Sequence, residues 1–426
     1  MRFFLMLTVI VLGGCLCTTP NNMEKINMTK EVNQNIEQNK MYYSIKDFGA
    51  VGDGITDDTD AIQAGINFVY AKGSGTLFFP YTKNGYRIAK PAPEQIDGKP
   101  CRSQLYIPSF TENPMESRNI CLEGEMPVAQ GHRYQLVMGG RWASTNAAGF
   151  PMAIANVCLI SNWEAPEEPD RNARPWALIS VLGGHKLPFG LANLTVKNLE
   201  FRVFLNTDKM YPTSSAANFM STSRLIIEHS YFGLDKNIGC VNSNKELLAN
   251  PCYTAGVITS ADQNDHQRLD SVGVQGFRYG FVLGEHIGAN YLYVHNCEEG
   301  IVFHDSSHLS VLNYVVAQHN RIIVSALREP TFAGLYPSKN IYVQINGLNY
   351  ETGTNTRPVV CQTQFVVFDP DNRITGQITY HSGWPVSANN FSITGGKRIR
   401  AVKFGDWIEN LTDVNAEKST VTGNSN

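Results

Sequence analysis

Three short segments share one pattern: Gly256-Val-Ile-Thr-Ser-Ala-Asp262, Gly280-Phe-Val-Leu-Gly-Glu285-His286 and Gly300-Ile-Val-Phe-His304-Asp305-Ser306. Aligned on their glycines, Glu285 and Asp305 fall at one position and Asp262 one position later. If each segment is a strand of a parallel stack, acids on neighbouring strands stand roughly 5 Å apart and those on alternate strands roughly 10 Å apart. These separations bracket the two geometries of glycoside hydrolysis, a nucleophile with an acid when close and a base with an acid when a water intervenes. Stacked carboxylates also repel one another, which raises one pKa and prepares a proton donor. Asp262, Glu285, Asp305 and Glu299 are therefore the expected catalytic acids. His286, His304, Arg321, Arg328 and Trp142 are the expected substrate contacts, Trp142 by stacking its ring on a sugar face. His266, His308 and Glu329 lie near the same positions in the sequence.

Acids at such positions meet only if the chain coils, and a repeat says that it does. Val196–Phe201, Ile227–Phe232, Val274–Tyr279, Val294–Glu299, Val316–Arg321 and Ile345–Tyr350 each open on a β-branched residue and mostly carry an apolar fourth position. Val274 to Val294 is 20 residues and Val294 to Val316 is 22. A period of this size with alternating apolar positions predicts stacked β-helix coils that bury their inward side chains against one another. At the sixth position Glu299 and Arg321 interrupt an aromatic column, and one rung apart they are expected to pair.

The most specific string precedes the repeat: Ile45-Lys-Asp-Phe-Gly49-Ala-Val-Gly52-Asp53-Gly54-Ile-Thr56-Asp57-Asp58-Thr-Asp60, followed by Ala61-Ile62-Gln-Ala-Gly-Ile66. Its glycines allow positive-φ turns. Thr56 to Asp58 offer acceptors at a helix start, and Ile62, Ile66, Val69 and Tyr70 make one apolar helical face. A helix laid across the first coil would cover an otherwise adhesive edge. This segment resembles the N-terminal cap of the pectate-lyase superfamily, which includes rhamnogalacturonase-like and polygalacturonase-like proteins and phage tailspikes. The resemblance implies an all-β, single-stranded right-handed parallel β-helix with an N-terminal capping helix, and it implies that Asp53, Asp57, Asp58 and Asp60 are structural. They lack EF-hand spacing. Asn206-Thr207-Asp208 resembles one element of polygalacturonases. The other elements do not follow in order, since Gly183-Gly184-His185 and Arg398-Ile399-Arg400 stand at the wrong places.

At the N-terminus, Met1-Arg2 and an apolar run from Phe3 to Leu12 end in Leu12-Gly13-Gly14-Cys15. The run is too short for a permanent span and resembles a bacterial lipobox, with Cys15 as the lipidation site. The expected organisation is a lipoprotein signal over 1–17, a flexible tether over 18–40, the β-helix over 41–411 and a polar tail over 412–426. That places the chain in a bacterial cell envelope, periplasmic or on the outer-membrane surface, held to the membrane by its lipid. Export permits disulfides, and Cys240 with Cys252 would close a loop, whereas Cys297 sits at an apolar register as a buried thiol. The chain has no CxxC pair, and no metal is called for.

A net charge of -3 with 17% charged residues lacks the basic footprint of phosphate-backbone binding, so nucleic acid is not an expected partner. The leading expectation is a glycoside hydrolase acting on a polysaccharide without a cofactor. The alternatives are a polysaccharide lyase acting by β-elimination on a uronate-containing glycan, for which Ca²⁺ or arginine would neutralise the carboxylate, and a non-catalytic glycan-binding surface protein. Either a monomer or a homotrimer is compatible with this scaffold.

Overall fold

The structure is a computed structural model that describes residues 41–82, 84–90, 95–96, 99–100, 103–108, 118–125, 157–161, 177–182, 191–204, 215–220, 222–235, 255–259, 267–304, 306–318, 320–328, 340–351, 365–382, 390–395, 398–403 and 420–422. The expected tether, Cys15, Trp142, Cys240, Cys252, Asp262, His266, Asp305 and Glu329 lie outside these residues.

The chain from residue 42 onward is a right-handed parallel β-helix. Its strands form a long sheet running from Tyr42–Ser44 to Ile399–Lys403 and a second from Ser103–Pro108 to Asn390–Thr394. The first sheet turns a corner within each coil. Thr222–Asp235 pairs through its first half with Leu191–Lys197 and through its second with Leu199–Phe204. The corner residue takes a left-handed backbone, with φ of 58° at Asn198, 46° at His229 and 56° at Ser271. One residue in that conformation redirects the strand without ending it, so each coil presents three ladders.

Inward side chains make one continuous core, from Ile45 and Leu77 through Phe201, Phe232, Val274, Phe281 and Phe303 to Ile378 and Ile399. Gly256, Gly280 and Gly300 stack in register in the second sheet, as their flanking pairs Val257 to Phe281 and Phe281 to Ile301 require. A Cβ on Gly280 would lie 2.4 Å from the Gly300 carbonyl oxygen and 2.9 Å from a Val274 methyl. The glycine column is thus a packing requirement: the strand backbone runs where a side chain would otherwise point.

The cap forms as its sequence dictates. Gly49, Gly52 and Gly54 carry φ of 95°, 67° and 75°. Helix α1, Thr59–Ala71, buries Ile62, Ile66 and Val69 against the first coils. Asp58 stands at the helix start without capping it. Its buried carboxylate instead accepts from the amides of Val51 (2.6 Å) and Gly52 (2.9 Å). Asp57 takes the capping role, accepting from the Thr59 amide, while Asp53 accepts from the Ile55 and Thr56 amides. Asp60 pairs with Lys90 at 2.5 Å. All four acids are occupied in holding the turn. At the other end, Thr420–Thr422, within the expected polar tail, pairs antiparallel with Asn390–Ser392.

The repeat is real, but its register departs from the sequence alignment in three places, the last being that Val316 faces Asn349 and not Ile345. Val196 faces Ile227 and Val274 faces Val294 as expected. Phe232, not Ile227, faces Val274, and Val294 faces Ala317 because Tyr293 takes Val316. Coils differ in length by a few residues in their turns, and the ladder absorbs the difference.

Candidate functional site

Of the expected acids, Glu285 and Glu299 are among the described residues, and both stand at the margin of the second sheet. Tyr279, Glu299 and Ile322 form one register column across three coils, and Ile258, Val282, Val302, Ser325 and Phe368 another. Because Glu299 aligns with Ile322, the expected pair with Arg321 does not form. Arg321 is one position earlier and donates to Glu298 at 2.5 Å, while Arg278 lies 3.4 Å from the other oxygen of the same carboxylate. The Glu299 carboxylate instead accepts from the Ser325 hydroxyl and from Arg328. Arg328 also lies 4.5 Å over the Phe368 ring, and Arg278 4.9 Å over that of Tyr279.

The acids of this group are buried, Glu298 at 3% exposure and Glu299 at 1%, whereas the Arg321 and Arg328 side chains are about one-third exposed, at 33% and 35%. Burial pushes the Glu298 carboxyl up, against the opposing pull of Arg321 and Arg278. Burial and the charge of Glu299 together push the Tyr279 phenol up. The outcome is a set of fixed anions underneath and guanidinium groups reaching solvent, which suits recognition of a carboxylate-bearing ligand.

Glu285 was expected in an outward stack of acids. It is instead 1% exposed, in the turn after strand Tyr279–Leu283, and its carboxylate is 2.7 Å from His308 Nδ1. The turn is tightened by His286, whose φ of 55° is left-handed, so the acid folds under rather than out. His286 Nδ1 is 4.0 Å from the other Glu285 oxygen, and the His286 and His308 rings stack at 4.3 Å.

His304 is fully buried. Its Nε2 is 3.1 Å from the Thr259 carbonyl oxygen, spanning two coils, and in this geometry it contacts the stack rather than solvent. Burial lowers its pKa from 6.5 to about 4. A folded-state pKa below the unfolded one means that the unfolded chain binds the proton first. His304 therefore removes stability as pH falls from about 6.5 to about 4, by about 3 kcal/mol in all, with full stability above that window. Urea titrations of wild type and His304→Gln at pH 7 and pH 4.5 check this. The variant is expected to lose much of the pH dependence, and an unchanged slope would remove His304 as its source.

Glu298, Ser325 and Arg278 were not singled out by sequence. A doubled acid at a strand start, Glu298-Glu299, was the available signal, but partner choice depends on a register that only the folded coils define. Cys297 is a buried free thiol as expected, with its pKa pushed up to about 12 by burial.

No family model matches the chain. Curated relatives match over short stretches. Mannuronan C5-epimerase AlgE5 of Azotobacter vinelandii is 47% identical over 68 residues, which is 16% of this chain and 6% of that protein. Alginate lyase 7 of the same organism is 53% identical over 68 residues, 16% of this chain and 8% of that one. Mannuronan C5-epimerase AlgE2 is 60% identical over 49 residues, 12% and 5%. The matched part of the chain thus spans less than a tenth of each of these relatives. Among solved structures, the AlgE6 A-module of Azotobacter vinelandii aligns over 85% of this chain and 99% of its own at 15% identity and a TM-score of 0.25. The tailspike protein of E. coli bacteriophage HK620 aligns over 87% and 65% at 10% identity and 0.34. The β-helix assignment rests on the parallel ladders themselves. Among the described residues no helix is long and apolar enough to cross a membrane.

Proposed function

We propose that this chain is a polysaccharide-modifying enzyme that acts on a uronate-containing glycan by removing the proton α to the carboxylate, the step that β-elimination and C5 epimerisation share. The observation that carries this reading is the row of guanidinium groups on the second sheet, where Arg321 and Arg328 reach solvent from buried anchors on Glu298 and Glu299. Proton removal beside a carboxylate requires that its negative charge be neutralised as the carbanion develops, and fixed guanidinium donors do this without reorganisation. The short matches to mannuronan C5-epimerases and an alginate lyase support the same substrate class. A hydrolase needs two carboxylates facing one sugar. Glu285 and Glu299 are each buried and engaged, which is why proton abstraction ranks above hydrolysis here.

Asp262 and Asp305, which follow the glycine-led segments Gly256–Thr259 and Gly300–His304 in the sequence, are the acids we assign to proton transfer, and lipidation at Cys15 would hold the enzyme in the cell envelope. The test is incubation of the chain with polymannuronate and other polyuronates in deuterated buffer. The expected result is either an ultraviolet-absorbing 4,5-unsaturated end, with the C5 proton lost to solvent and the C4 oxygen expelled, if the enzyme is a lyase, or solvent deuterium at an inverted C5 if it is an epimerase. New reducing ends without either signal would establish a hydrolase, and binding without turnover a glycan-binding protein. Either overturns the proposal. Repeating the assay with a chelator decides whether Ca²⁺ takes part.

A further inference from the structure

Glu285, His286 and His308 point to a function that the polysaccharide chemistry does not use. We propose that they form a binding site for a divalent transition-metal ion of the zinc class. Glu285 and His286 come from one turn, and His308 from the next coil, so the three meet only in the folded stack. Their ligand atoms all lie within 4.8 Å of one another. Both imidazoles turn the same nitrogen to the same carboxylate, His308 Nδ1 at 2.7 Å from one oxygen and His286 Nδ1 at 4.0 Å from the other.

The donor set selects the ion. Two imidazoles with one carboxylate suit Zn²⁺, Co²⁺ and Ni²⁺, whereas Ca²⁺ takes six or more oxygens. Ligand atoms about 2.1 Å from a tetrahedral ion stand about 3.4 Å apart, so a pair separated by the full 4.8 Å must approach by about 1.4 Å. A side-chain rotation of His308, whose side chain is 60% exposed, about its contact with Glu285 is the movement that closes the set. The other ligand, Glu285, is fixed by burial, and His286 is fixed by its left-handed turn. Three protein ligands on a partly exposed edge leave a coordination position open to water, and the ion displaces the proton that His308 otherwise shares with Glu285.

The same arrangement also describes a plain carboxylate and imidazole pair, so the experiment has to separate the two. The full chain, stripped with a chelator, is titrated with Zn²⁺ against a chromophoric competitor, and with Co²⁺ while its visible d–d absorption is followed. The expected result is one site lost by more than tenfold in affinity in His308→Ala and in His286→Asn, the second chosen because asparagine tolerates the left-handed turn. Metal-dependent protection against thermal unfolding should vanish with it. Equal Zn²⁺ affinity in wild type and both variants, or no Co²⁺ absorption in wild type, overturns the site. Circular dichroism of the variants shows that they are folded. Uronate turnover is read separately, so loss of this site and failure of the proposed reaction remain distinguishable.

Discussion

Asp58→Asn is expected to cost about 3 kcal/mol of stability, the largest effect of any single polar substitution in the cap. The Asp58 carboxylate lies at 1% exposure and accepts a backbone amide on each oxygen, Val51 at 2.6 Å and Gly52 at 2.9 Å. An asparagine of the same shape must turn its NH₂ toward one of those N–H groups. That leaves two donors facing each other without water, and unsatisfied buried groups cost about 1 to 3 kcal/mol each, more where the lost acceptor was charged. The consequence reaches past the turn. The Val51–Gly52 loop and α1 cover the first coil, and a solenoid whose end repeat is loosened exposes an apolar edge. Asp60→Asn serves as the control, because its Lys90 pair is exposed and such pairs contribute under about 1 kcal/mol. Urea denaturation of both variants checks the difference. Equal, small losses would mean that the buried acceptor does not hold the cap.

The cap and the coil were legible for different reasons. The cap uses local chemistry, since glycines, acids and threonines satisfy groups two to seven residues away, and such contacts follow directly from sequence spacing. Coiling follows from the period of apolar positions, which survives small errors in alignment. Partner choice does not survive them. Val274 to Val294 is a step of 20, but Val294 faces Ala317 rather than Val316, and that single residue moves Arg321 from Glu299 to Glu298. The direction of Glu285 was illegible for a related reason. A left-handed residue immediately after it turns the acid under the sheet margin. Turn geometry, set by one φ, decides whether a carboxylate at the end of a strand meets solvent or a histidine on the next coil.

Arg328→Met is expected to lower turnover of a uronate polysaccharide by about 100-fold or more, mainly through kcat, because a fixed donor that stabilises developing charge is worth more in the transition state than in substrate binding. The difficulty is that Arg328 also neutralises Glu299, which is 1% exposed. Its removal leaves a buried carboxylate held by the Ser325 hydroxyl without its cation, a loss of about 2 kcal/mol in stability that by itself disturbs the sheet. The double variant Arg328→Met with Glu299→Gln separates the two roles. The amide no longer needs a cation, so stability should recover while turnover stays low. Arg328→Lys keeps the charge but loses the two-pronged donor geometry, and should fall between. If the double variant regains wild-type turnover, Arg328 does no more than hold Glu299, and the guanidinium row is a structural ion-pair array. If turnover stays low with stability restored, the exposed guanidinium is the group that meets the substrate carboxylate, and the buried glutamate beneath it is the strut that fixes its position.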